Sequence, residues 1–235
     1  MTVERGLRAR GFVLGVDTCG PSGSVALGRL TEDGMELLGQ TELAGRSYSA
    51  TLVAAVGELL KQHGVALREL SAIVAVNGPG SFTGVRVGLS AVKGLAEPLR
   101  IPVAVVSRLE ALASKASTQS SALDAHRHEV FLRVDAMDGK VRETLAGAAE
   151  LAAIAAVPKQ IAVCDDAAEE QIRAAWPGAV VVQVETPTAA DALELAAPQI
   201  RAGTFVDLAL LDGHYLRRSD AEIFGDPVQG LAQRT

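Results

Sequence analysis

The order of its short apolar runs limits the folds open to this 235-residue chain. Three such runs come first, separated by Gly, Pro and Asp, and predict a meander of strands over residues 12–17, 22–30 and 35–43. Helices and strands then alternate. These elements are a helix over residues 49–63, a strand over residues 70–76, a glycine-rich loop with a second helix, and a strand over residues 101–107. A meander followed by crossover-linked strands predicts one mixed sheet.

This order resembles that of the ribonuclease-H-like lobe in the actin, Hsp70 and sugar-kinase superfamily. We therefore predict an α/β, actin/Hsp70-like (ASKHA) fold of two lobes, in which mixed sheets are flanked by helices. A Ser-rich stretch over residues 114–122 predicts a loop near the lobe boundary. The N-terminal lobe is assigned to residues 1–107, the C-terminal lobe to residues 108–224 and a mobile tail to residues 225–235.

The sequence of the second lobe predicts shorter elements. Alternating apolar residues predict a hairpin over residues 128–146 that turns at an Asp-Gly pair. Short strands at residues 160–166 and 179–185 are separated by a helix. A further helix over residues 188–203 contains Pro198, which should kink or end it.

A glycine-rich segment over residues 77–98, NGPGSFTGVRVGLSAVKGLAEP, leads into the second predicted helix. It fails the G-x-G-x-x-G dinucleotide fingerprint because Thr83 holds the third glycine position, and it fails the Walker A pattern around Lys93. Ser81 and Thr83 are available as helix N-caps. Because a helix N-terminus also attracts anions, a phosphate site is an alternative.

Small residues form one face of that helix. At about 100° per residue an apolar stripe runs along the helix, with a stripe of small residues beside it. The apolar stripe comprises Val85, Leu89, Val92 and Ala96, and the small stripe comprises Gly84, Gly88, Ala91 and Leu95. A glycine inside a helix costs up to about 1 kcal/mol relative to alanine, so two interior glycines indicate close packing against a neighbour. The neighbour belongs either to the same chain, for example the helix over residues 49–63, or to a helix of another molecule.

Asp17 and Thr18 end the first predicted strand and precede a tight turn. In the actin-like superfamily the corresponding turn wraps ATP phosphates, whereas a plain β-hairpin accounts for the same glycines and proline. The candidate nucleotide contacts are Asp17, Thr18, Gly80 and Ser81. Such sites also need a second phosphate loop and a glycine-rich adenosine turn in the second lobe. The nearest segment, residues 164–170, has no glycine and carries four acids, so autonomous ATP hydrolysis is not expected.

Other catalytic and metal-binding patterns are absent from the sequence. It contains no H-E-x-x-H pair and no G-x-S-x-G elbow, and His126 and His128 would supply only two metal ligands. Cys19 lies in a turn with no His near it in the sequence, so no catalytic thiol is expected. We therefore assign no catalytic residue and no metal site, and we expect the chain alone to need no cofactor.

The net charge and the cysteine pattern indicate which partners the chain can bind and in which cellular compartment it is expected. The net charge of −6, from 22 basic and 28 acidic residues, makes the chain a poor stand-alone binder of nucleic acid, because phosphate contacts supply most non-specific affinity. Cys19 and Cys164 match no C-x-x-C pattern, as expected of free thiols in a reducing cytosol. The charged start does not resemble a signal peptide, and no run of about 18 uncharged apolar residues occurs. We therefore expect a cytoplasmic protein without membrane contact.

Four motifs of the chain resemble those of one family. They are GVDTCGPSGSVAL, NGPGSFTGVRVGLSAVKGLA, DAHRHEVF and HYLRR, and they occur in the order and at about the spacing of the TsaB family, formerly YeaZ. TsaB proteins are inactive-looking paralogues of TsaD. With TsaD and the ATPase TsaE they make threonylcarbamoyladenosine on tRNA next to the anticodon. The resemblance implies a non-catalytic scaffold subunit that docks on TsaD through helices of its first lobe and forms homodimers in isolation.

The resemblance and the width of the apolar face together favour a helix pair between molecules. The docking helices would span residues 49–63 and 83–97. The predicted partner and dimer interface comprises Leu52, Val53, Val56, Leu60, Gly84, Val87, Gly88, Ala91 and Leu95. TsaD and TsaE are the expected partners, and tRNA is reached only through the complex. ATP with Mg²⁺ is expected only at an interface shared with the partner.

The sequence departs from the family pattern at three positions. Tyr48 stands where the family often has a His, His126 interrupts the D-A-R pattern, and Phe131 replaces a Tyr. These departures bear on a nucleotide role but not on helix docking. Two rival functions stay open. One is an autonomous ATP-binding transferase or ATPase of the actin-like superfamily that uses Asp17 and Thr18, and the other is a glycoprotease-type metallopeptidase, against which the lack of a zinc-ligand set argues.

Overall fold

The structure is a computed structural model that describes residues 11–44, 47–135 and 139–217. The predicted mobile tail, residues 225–235, and Asp138 of the predicted hairpin turn lie outside these ranges. None of the helices within them combines the length and the apolar character that a membrane span requires.

The first sheet has five strands in the order β3-β2-β1-β4-β5. The strands are β1 (Phe12–Asp17), β2 (Ser22–Leu30), β3 (Met35–Ala44), β4 (Leu70–Val76) and β5 (Val103–Val106). Because β1 pairs antiparallel with β2 and parallel with β4, the meander and the crossover strands share one mixed sheet, as the order of apolar runs predicts. Helices α1 (Tyr48–Gln62) and α2 (Phe82–Ala96) lie side by side against this sheet.

The second sheet repeats the same strand order. The elements that follow β5 are α3 (Arg108–Lys115), β6 (Ser121–Asp124), β7 (Val130–Asp135), β8 (Val141–Ala146), α4 (Ala148–Ala152), β9 (Gln160–Val163), α5 (Asp166–Ala175), β10 (Val180–Gln183) and α6 (Ala189–Arg201). The strands run β8-β7-β6-β9-β10, with β6 antiparallel to β7 and parallel to β9. Each lobe is therefore an antiparallel meander extended by two parallel strands, although the sequence contains no repeat of fixed period.

Helix α3 packs on the second sheet, whereas α6, which follows that sheet in the chain, packs on the first. Leu109 and Leu112 of α3 are buried in a cluster with residues of β6, β7 and β9. Leu193 of α6 is buried in the core of the first sheet. Gly15 of β1 makes room for this helix, because a Cβ there would lie 2.9 Å from Cγ of Leu193.

The packing of α6 bears on the predicted division into two lobes, which stays a prediction. The boundary between residues 107 and 108 separates the two sheets, but α6 and Leu211 belong to the core of the first one. The predicted C-terminal lobe, residues 108–224, is therefore not a single packing unit within its described part. α3 and α6 meet between the lobes through an ion pair, with Nζ of Lys115 3.0 Å from Oδ2 of Asp191.

One prediction of secondary structure is wrong in part, and α3 and α4 are helices that no prediction included. The Ser-rich stretch is only partly a loop, since β6 begins at Ser121, whose Oγ donates a buried hydrogen bond to the Leu109 carbonyl oxygen at 2.7 Å. Pro198 does not end α6, because the carbonyl four residues earlier belongs to the exposed Glu194, where solvent can replace the lost hydrogen bond. The kink, which was the alternative, stays a prediction. The α/β, actin/Hsp70-like fold of two lobes with mixed sheets flanked by helices is confirmed.

Candidate functional site: a cleft between the lobes

A cleft of about 1170 Å³ lies between the two lobes. The first lobe lines it with the turn between β1 and β2 (residues 18–21) and with the start of α2. The second lobe lines it with the turn between β6 and β7 (residues 125–129), and residues 214–217 form a third side. The two turns hold equivalent positions in the repeated topology, so each lobe presents the same type of hairpin to the cleft.

Asp17 at the end of β1 is buried and paired within the chain. Its side chain is 3% exposed, and its Oδ2 lies 3.8 Å from Nε of Arg108, the first residue of α3. Its Oδ1 accepts a hydrogen bond from the Cys19 N–H at 2.8 Å. Burial raises the pKa of Asp17, and the Arg108 charge and the Cys19 hydrogen bond offset this effect only in part. The counterion of this carboxylate is thus an internal arginine.

The position of Thr18 explains why α2 has glycine at Gly84 and Gly88. Its Oγ1 donates a hydrogen bond to the Gly84 carbonyl oxygen at 2.7 Å. A Cβ at Gly84 would overlap the Thr18 carbonyl oxygen, and a Cβ at Gly88 would overlap Thr18 Oγ1. The neighbour of these glycines is therefore the turn between β1 and β2 of the same chain. At these two positions the alternative of a neighbour from the same chain is confirmed, although that neighbour is a turn and not the helix over residues 49–63.

The loop before α2 packs on the same turn. The Ser81 N–H donates to the Cys19 carbonyl oxygen at 2.8 Å, and a Cβ at Gly80 would overlap that oxygen. Gly80 and Ser81 line the cleft, whereas Asp17 and Thr18 are buried. The structure thus separates the four candidate nucleotide contacts into two that face the cleft and two that are enclosed.

Tyr48 closes the turn from the side of α1. Its hydroxyl donates a hydrogen bond to the Gly20 carbonyl oxygen at 2.8 Å. Burial raises the pKa of Tyr48 to about 12. Tyr48, where the sequence departs from the family pattern, therefore links the start of α1 to the turn between β1 and β2. Its hydroxyl stays protonated at neutral pH.

The turn of the second lobe carries three exposed basic residues in an unusual backbone conformation. His126, Arg127 and His128 have φ angles of 61°, 57° and 59°, which are uncommon for residues other than glycine. Nδ1 of His126 lies 2.7 Å from Oδ2 of Asp124. By its position in the topology this turn is the counterpart of the turn between β1 and β2. Residues 164–170, the segment considered for a second phosphate loop, lie elsewhere in the fold. Those residues instead begin α5.

Glu143 of β8 joins several elements near the cleft. It accepts hydrogen bonds from Ser107 Oγ at 2.7 Å and from the Arg133 guanidinium at 2.7 Å, and Nε2 of His214 lies 2.9 Å from it. The His214 N–H in turn donates to the Asn77 carbonyl oxygen of the first lobe at 2.7 Å. Burial alone would raise the pKa of Glu143, but the hydrogen bonds from His214, Ser107 and Arg133 outweigh burial and lower it. The carboxylate therefore helps to hold the lobes together.

We predict that Glu143→Gln lowers the free energy of unfolding by about 1–3 kcal/mol at neutral pH, because charge-assisted hydrogen bonds become neutral ones. A lowered pKa means that the stabilisation is present above the usual value of 4.5 and is lost as the pH falls through the folded-state pKa. Urea unfolding of the variant and the parent at neutral and acidic pH should give curves that converge in acid. Glu58→Gln on α1, where the side chain is 67% exposed, should change little. Equal losses at both pH values would contradict the assignment.

The residues of the predicted interface fall into two groups. Five are buried within this chain, namely Leu52, Val56, Leu60, Gly84 and Gly88. The other four are exposed or half-buried on α1 and α2, namely Val53, Val87, Ala91 and Leu95. Val53 is 58% exposed. The interface on these helices stays a prediction, and the second group is the part of it that is open to solvent.

Sequence reasoning missed Arg108 because no element was predicted for residues 108–113, where the short helix α3 begins. The signal for it is the sequence Ser107-Arg-Leu-Glu110, which fits the S-x-x-E pattern of a helix start. In the structure Ser107 Oγ accepts a hydrogen bond from the Leu109 N–H at 3.2 Å. No pattern in the sequence links Arg108 to Asp17, because that pairing depends on how α3 crosses between the lobes.

The thiol of Cys19, next to the cleft, is enclosed. Cys19 Sγ donates to the Val76 carbonyl oxygen at 3.3 Å, and burial raises the pKa of this thiol well above its usual range. Among residues 11–44, 47–135 and 139–217, no three His, Cys, Asp or Glu side chains lie close enough together to hold a metal ion.

Comparisons with known proteins identify relatives of this chain. A family model described as "TsaD: tRNA N6-adenosine threonylcarbamoyltransferase" matches residues 40–171. The chain is 37% identical over 123 residues to the tRNA threonylcarbamoyladenosine biosynthesis protein TsaB of Bacillus subtilis (strain 168), which covers 51% of this chain and 52% of that protein. It is 36% identical over 96 residues to the protein of the same name from Haemophilus influenzae, covering 38% and 41%. The chain thus spans about half the length, or less, of these relatives.

A solved structure resembles nearly the whole chain. YeaZ from Pseudomonas aeruginosa has a TM-score of 0.67 and 28% identity, over 88% of this chain and 100% of that chain. The residues that the family model matches include α1, α2, α3 and the turn between β6 and β7, which together form most of the cleft. Because that model matches more than half of the chain, the chain belongs to the family that the TsaD model describes, in its TsaB (YeaZ) branch.

Proposed function

We propose that this chain takes part in the formation of threonylcarbamoyladenosine on tRNA, as a non-catalytic subunit that docks on a TsaD-type partner. The observation that carries the proposal is the enclosed first turn. Asp17 is buried against Arg108, and Thr18 is buried against α2. A nucleotide site of the actin-like type needs this turn open to phosphates and a metal ion. The names of the relatives supply the process, since the TsaB proteins are named for it.

The outer side of α1 and α2 is the docking surface in this proposal. It offers Val53 together with the half-buried Val87, Ala91 and Leu95, all small or aliphatic side chains. Two helices can pack closely on such a surface because no long side chain intervenes. The same surface would form the homodimer of the isolated chain. In this proposal the chain meets TsaE and tRNA only as part of the complex. ATP with Mg²⁺ binds only at an interface that the chain shares with its partner. The complex acts in the cytoplasm.

Val53→Asp should weaken binding to the cognate TsaD-type protein by at least about tenfold, because it buries a carboxylate in an apolar helix pair. Co-purification and calorimetric titration of the two purified proteins measure the effect. Val180→Asp is the matched control, since Val180 is 60% exposed on β10, the edge strand of the other lobe. Unchanged binding by Val53→Asp would refute docking through α1 and α2. Failure of the reconstituted proteins to modify tRNA when this chain is supplied would refute the function.

A second candidate function is ATP binding by the isolated chain, for which Asp17 and Thr18 would be the contact residues. Calorimetry of the isolated chain with ATP and Mg²⁺ separates the two functions. We expect no heat of binding and no ATP turnover, because both residues are covered by the chain itself. Micromolar binding with turnover would favour the rival.

A further inference from the structure

Arg108 lines the cleft with a buried guanidinium that is not fully hydrogen-bonded. Its side chain is 7% exposed, and among the described residues its Nε has no hydrogen-bond partner. Asp17 compensates the charge, but the 3.8 Å between Nε and Oδ2 of Asp17 is too long for a hydrogen bond. A guanidinium has five N–H donors, and a buried donor without an acceptor is costly. A ligand oxygen in the cleft would supply an acceptor for this group.

The N-terminus of α2 borders the same part of the cleft. The Arg108 N–H donates to the Gly78 carbonyl oxygen at 2.6 Å, so the start of α3 lies against the loop that leads into α2. A Cβ at Gly20 would overlap Nη2 of Arg108, so the guanidinium also reaches the turn between β1 and β2. Gly20 and residues 81–84 line the cleft with Arg108. Because the N-terminus of a 15-residue helix favours an anion, it acts in the same direction as the guanidinium.

Two acids also line the cleft, and both are hydrogen-bonded within the chain. Oδ1 of Asp124 accepts the His126 N–H at 2.8 Å, and its Oδ2 lies 2.7 Å from Nδ1 of His126. Asp165 accepts hydrogen bonds from the N–H groups of Ala168, at 2.7 Å, and of Asp124, at 3.1 Å. The charges of these acids oppose a phosphate group of charge about −2 more than a carboxylate of charge −1. The cleft therefore favours a singly charged anion.

The other arginines of the cleft are engaged within the chain. Arg217 is paired with Glu129. Arg127 also interacts within the chain. A site for an anion thus depends on the guanidinium at the start of α3 and on the N-terminus of α2, and not on a general positive charge of the cleft.

Apolar side chains of the second lobe form a wall of the cleft. Leu123 of β6, Phe131 of β7 and Leu216 line it. They belong to the apolar cluster in which Leu109 is buried, so this wall lies close to Arg108, the preceding residue. Binding sites for small molecules typically combine apolar walls with a few convergent polar groups. A ligand that fits the cleft therefore has an apolar body as well as an anionic group.

We propose that the cleft binds a small monocarboxylate, with its carboxylate at Arg108 and the N-terminus of α2 and its apolar body against Leu123 and Phe131. A carboxylate is planar and matches the fork of N–H donors that a guanidinium presents. This ligand site is additional to the subunit role proposed above and does not depend on it.

Calorimetric titration of the isolated chain with benzoate tests the site. Benzoate joins a carboxylate to an apolar ring, and benzamide has nearly the same shape without the charge. We expect benzoate to bind with a Kd of about 1 mM or less. Benzamide and inorganic phosphate should each bind at least about tenfold more weakly. Absence of benzoate binding, equal binding of benzamide, or tighter binding of phosphate would each overturn the proposal.

Ser81→Asp places a competing carboxylate at the N-terminus of α2. Ser81 Oγ accepts the Gly84 N–H at 3.2 Å, and aspartate is as good an N-cap as serine, so the helix should be kept. The added charge should weaken benzoate binding at least about tenfold. Ser47→Asp is the matched control, because Ser47 is the N-cap of α1 and is not among the residues that line the cleft. Equal affinities of the two variants would refute the placement of the carboxylate.

Arg108→Lys tests the guanidinium itself. Lysine keeps a positive charge near Asp17 but has no planar fork of donors, so benzoate binding should weaken about tenfold. Circular dichroism checks that the variant is folded, and Ser81→Asp decides the question if it is not. Unchanged binding by a folded Arg108→Lys would contradict the proposal. None of these results bears on the proposed function, which is judged by tRNA modification and by the Val53 variant.

Discussion

Gly84→Ala should lower the free energy of unfolding of the isolated chain by about 3 kcal/mol or prevent folding. A Cβ at this position would overlap the Thr18 carbonyl oxygen, which is a backbone atom and cannot rotate away as a side chain can. The relief would have to come from a shift of α2 or of the turn between β1 and β2. Because Thr18 Oγ1 also donates to the Gly84 carbonyl oxygen, such a shift would cost a buried hydrogen bond as well. Urea unfolding followed by circular dichroism measures the loss.

Gly94→Ala on the same helix is the control. A Cβ there would meet no other atom within 4 Å, so only the conformational preference of the backbone acts. Alanine should then stabilise the chain by up to about 1 kcal/mol. If alanine destabilises the chain at Gly84 and stabilises it at Gly94, the loss at Gly84 is due to a steric clash. A similar small effect at both positions would mean that Thr18 does not lie against Gly84.

This pair of substitutions also changes how docking can be tested. Gly88 is buried against Thr18 Oγ1 in the same way, so a large side chain there would damage the fold before it affected a partner. Loss of complex formation by Gly88→Leu would therefore carry no information about a helix interface. Val53 is the better position because its side chain is exposed and the core does not depend on it.

The sequence predicts local features of this fold closely and long-range ones poorly. The strands β1 and β4 begin and end where their apolar runs do, because a strand buried on both faces needs an unbroken apolar segment. The glycines of α2 correctly indicate a close neighbour, but the identity of that neighbour is a tertiary property. Thr18 and Gly84 are 66 residues apart, and no periodicity connects them.

For a similar reason, the sequence does not predict which of the two sheets α3 and α6 pack on. An amphipathic helix specifies that one face is buried but not which sheet buries it. The pairing of Arg108 with Asp17 depends on that choice, and so does the enclosure of the first turn. Whether the turn between β1 and β2 is open to a nucleotide or closed is therefore visible only in the structure.

Arg108→Met should lower the free energy of unfolding by about 3–5 kcal/mol at neutral pH, because it leaves the Asp17 carboxylate buried without a counterion. Methionine fills much of the space of the arginine stem, so the loss should come from charge rather than from a cavity. Asp17→Asn should be costly too, since Arg108 is only 7% exposed and its Nε has no hydrogen-bond partner in the structure. The double variant should lose less than the sum of the two single ones, because no unpaired charge is left.

The pH dependence identifies the charge that is responsible. Burial already raises the pKa of Asp17, and removing the Arg108 charge, which lowers it, should raise it further. For a carboxyl group whose pKa is raised on folding, ionisation opposes folding, so the penalty is complete above the folded-state pKa and disappears as the pH falls towards the usual value of 3.8. The difference between Arg108→Met and the parent should thus be smaller at about pH 5 than at about pH 8. A difference that does not depend on pH would mean that Arg108 acts through packing, and the enclosed ion pair would no longer explain why the first turn is closed to nucleotide.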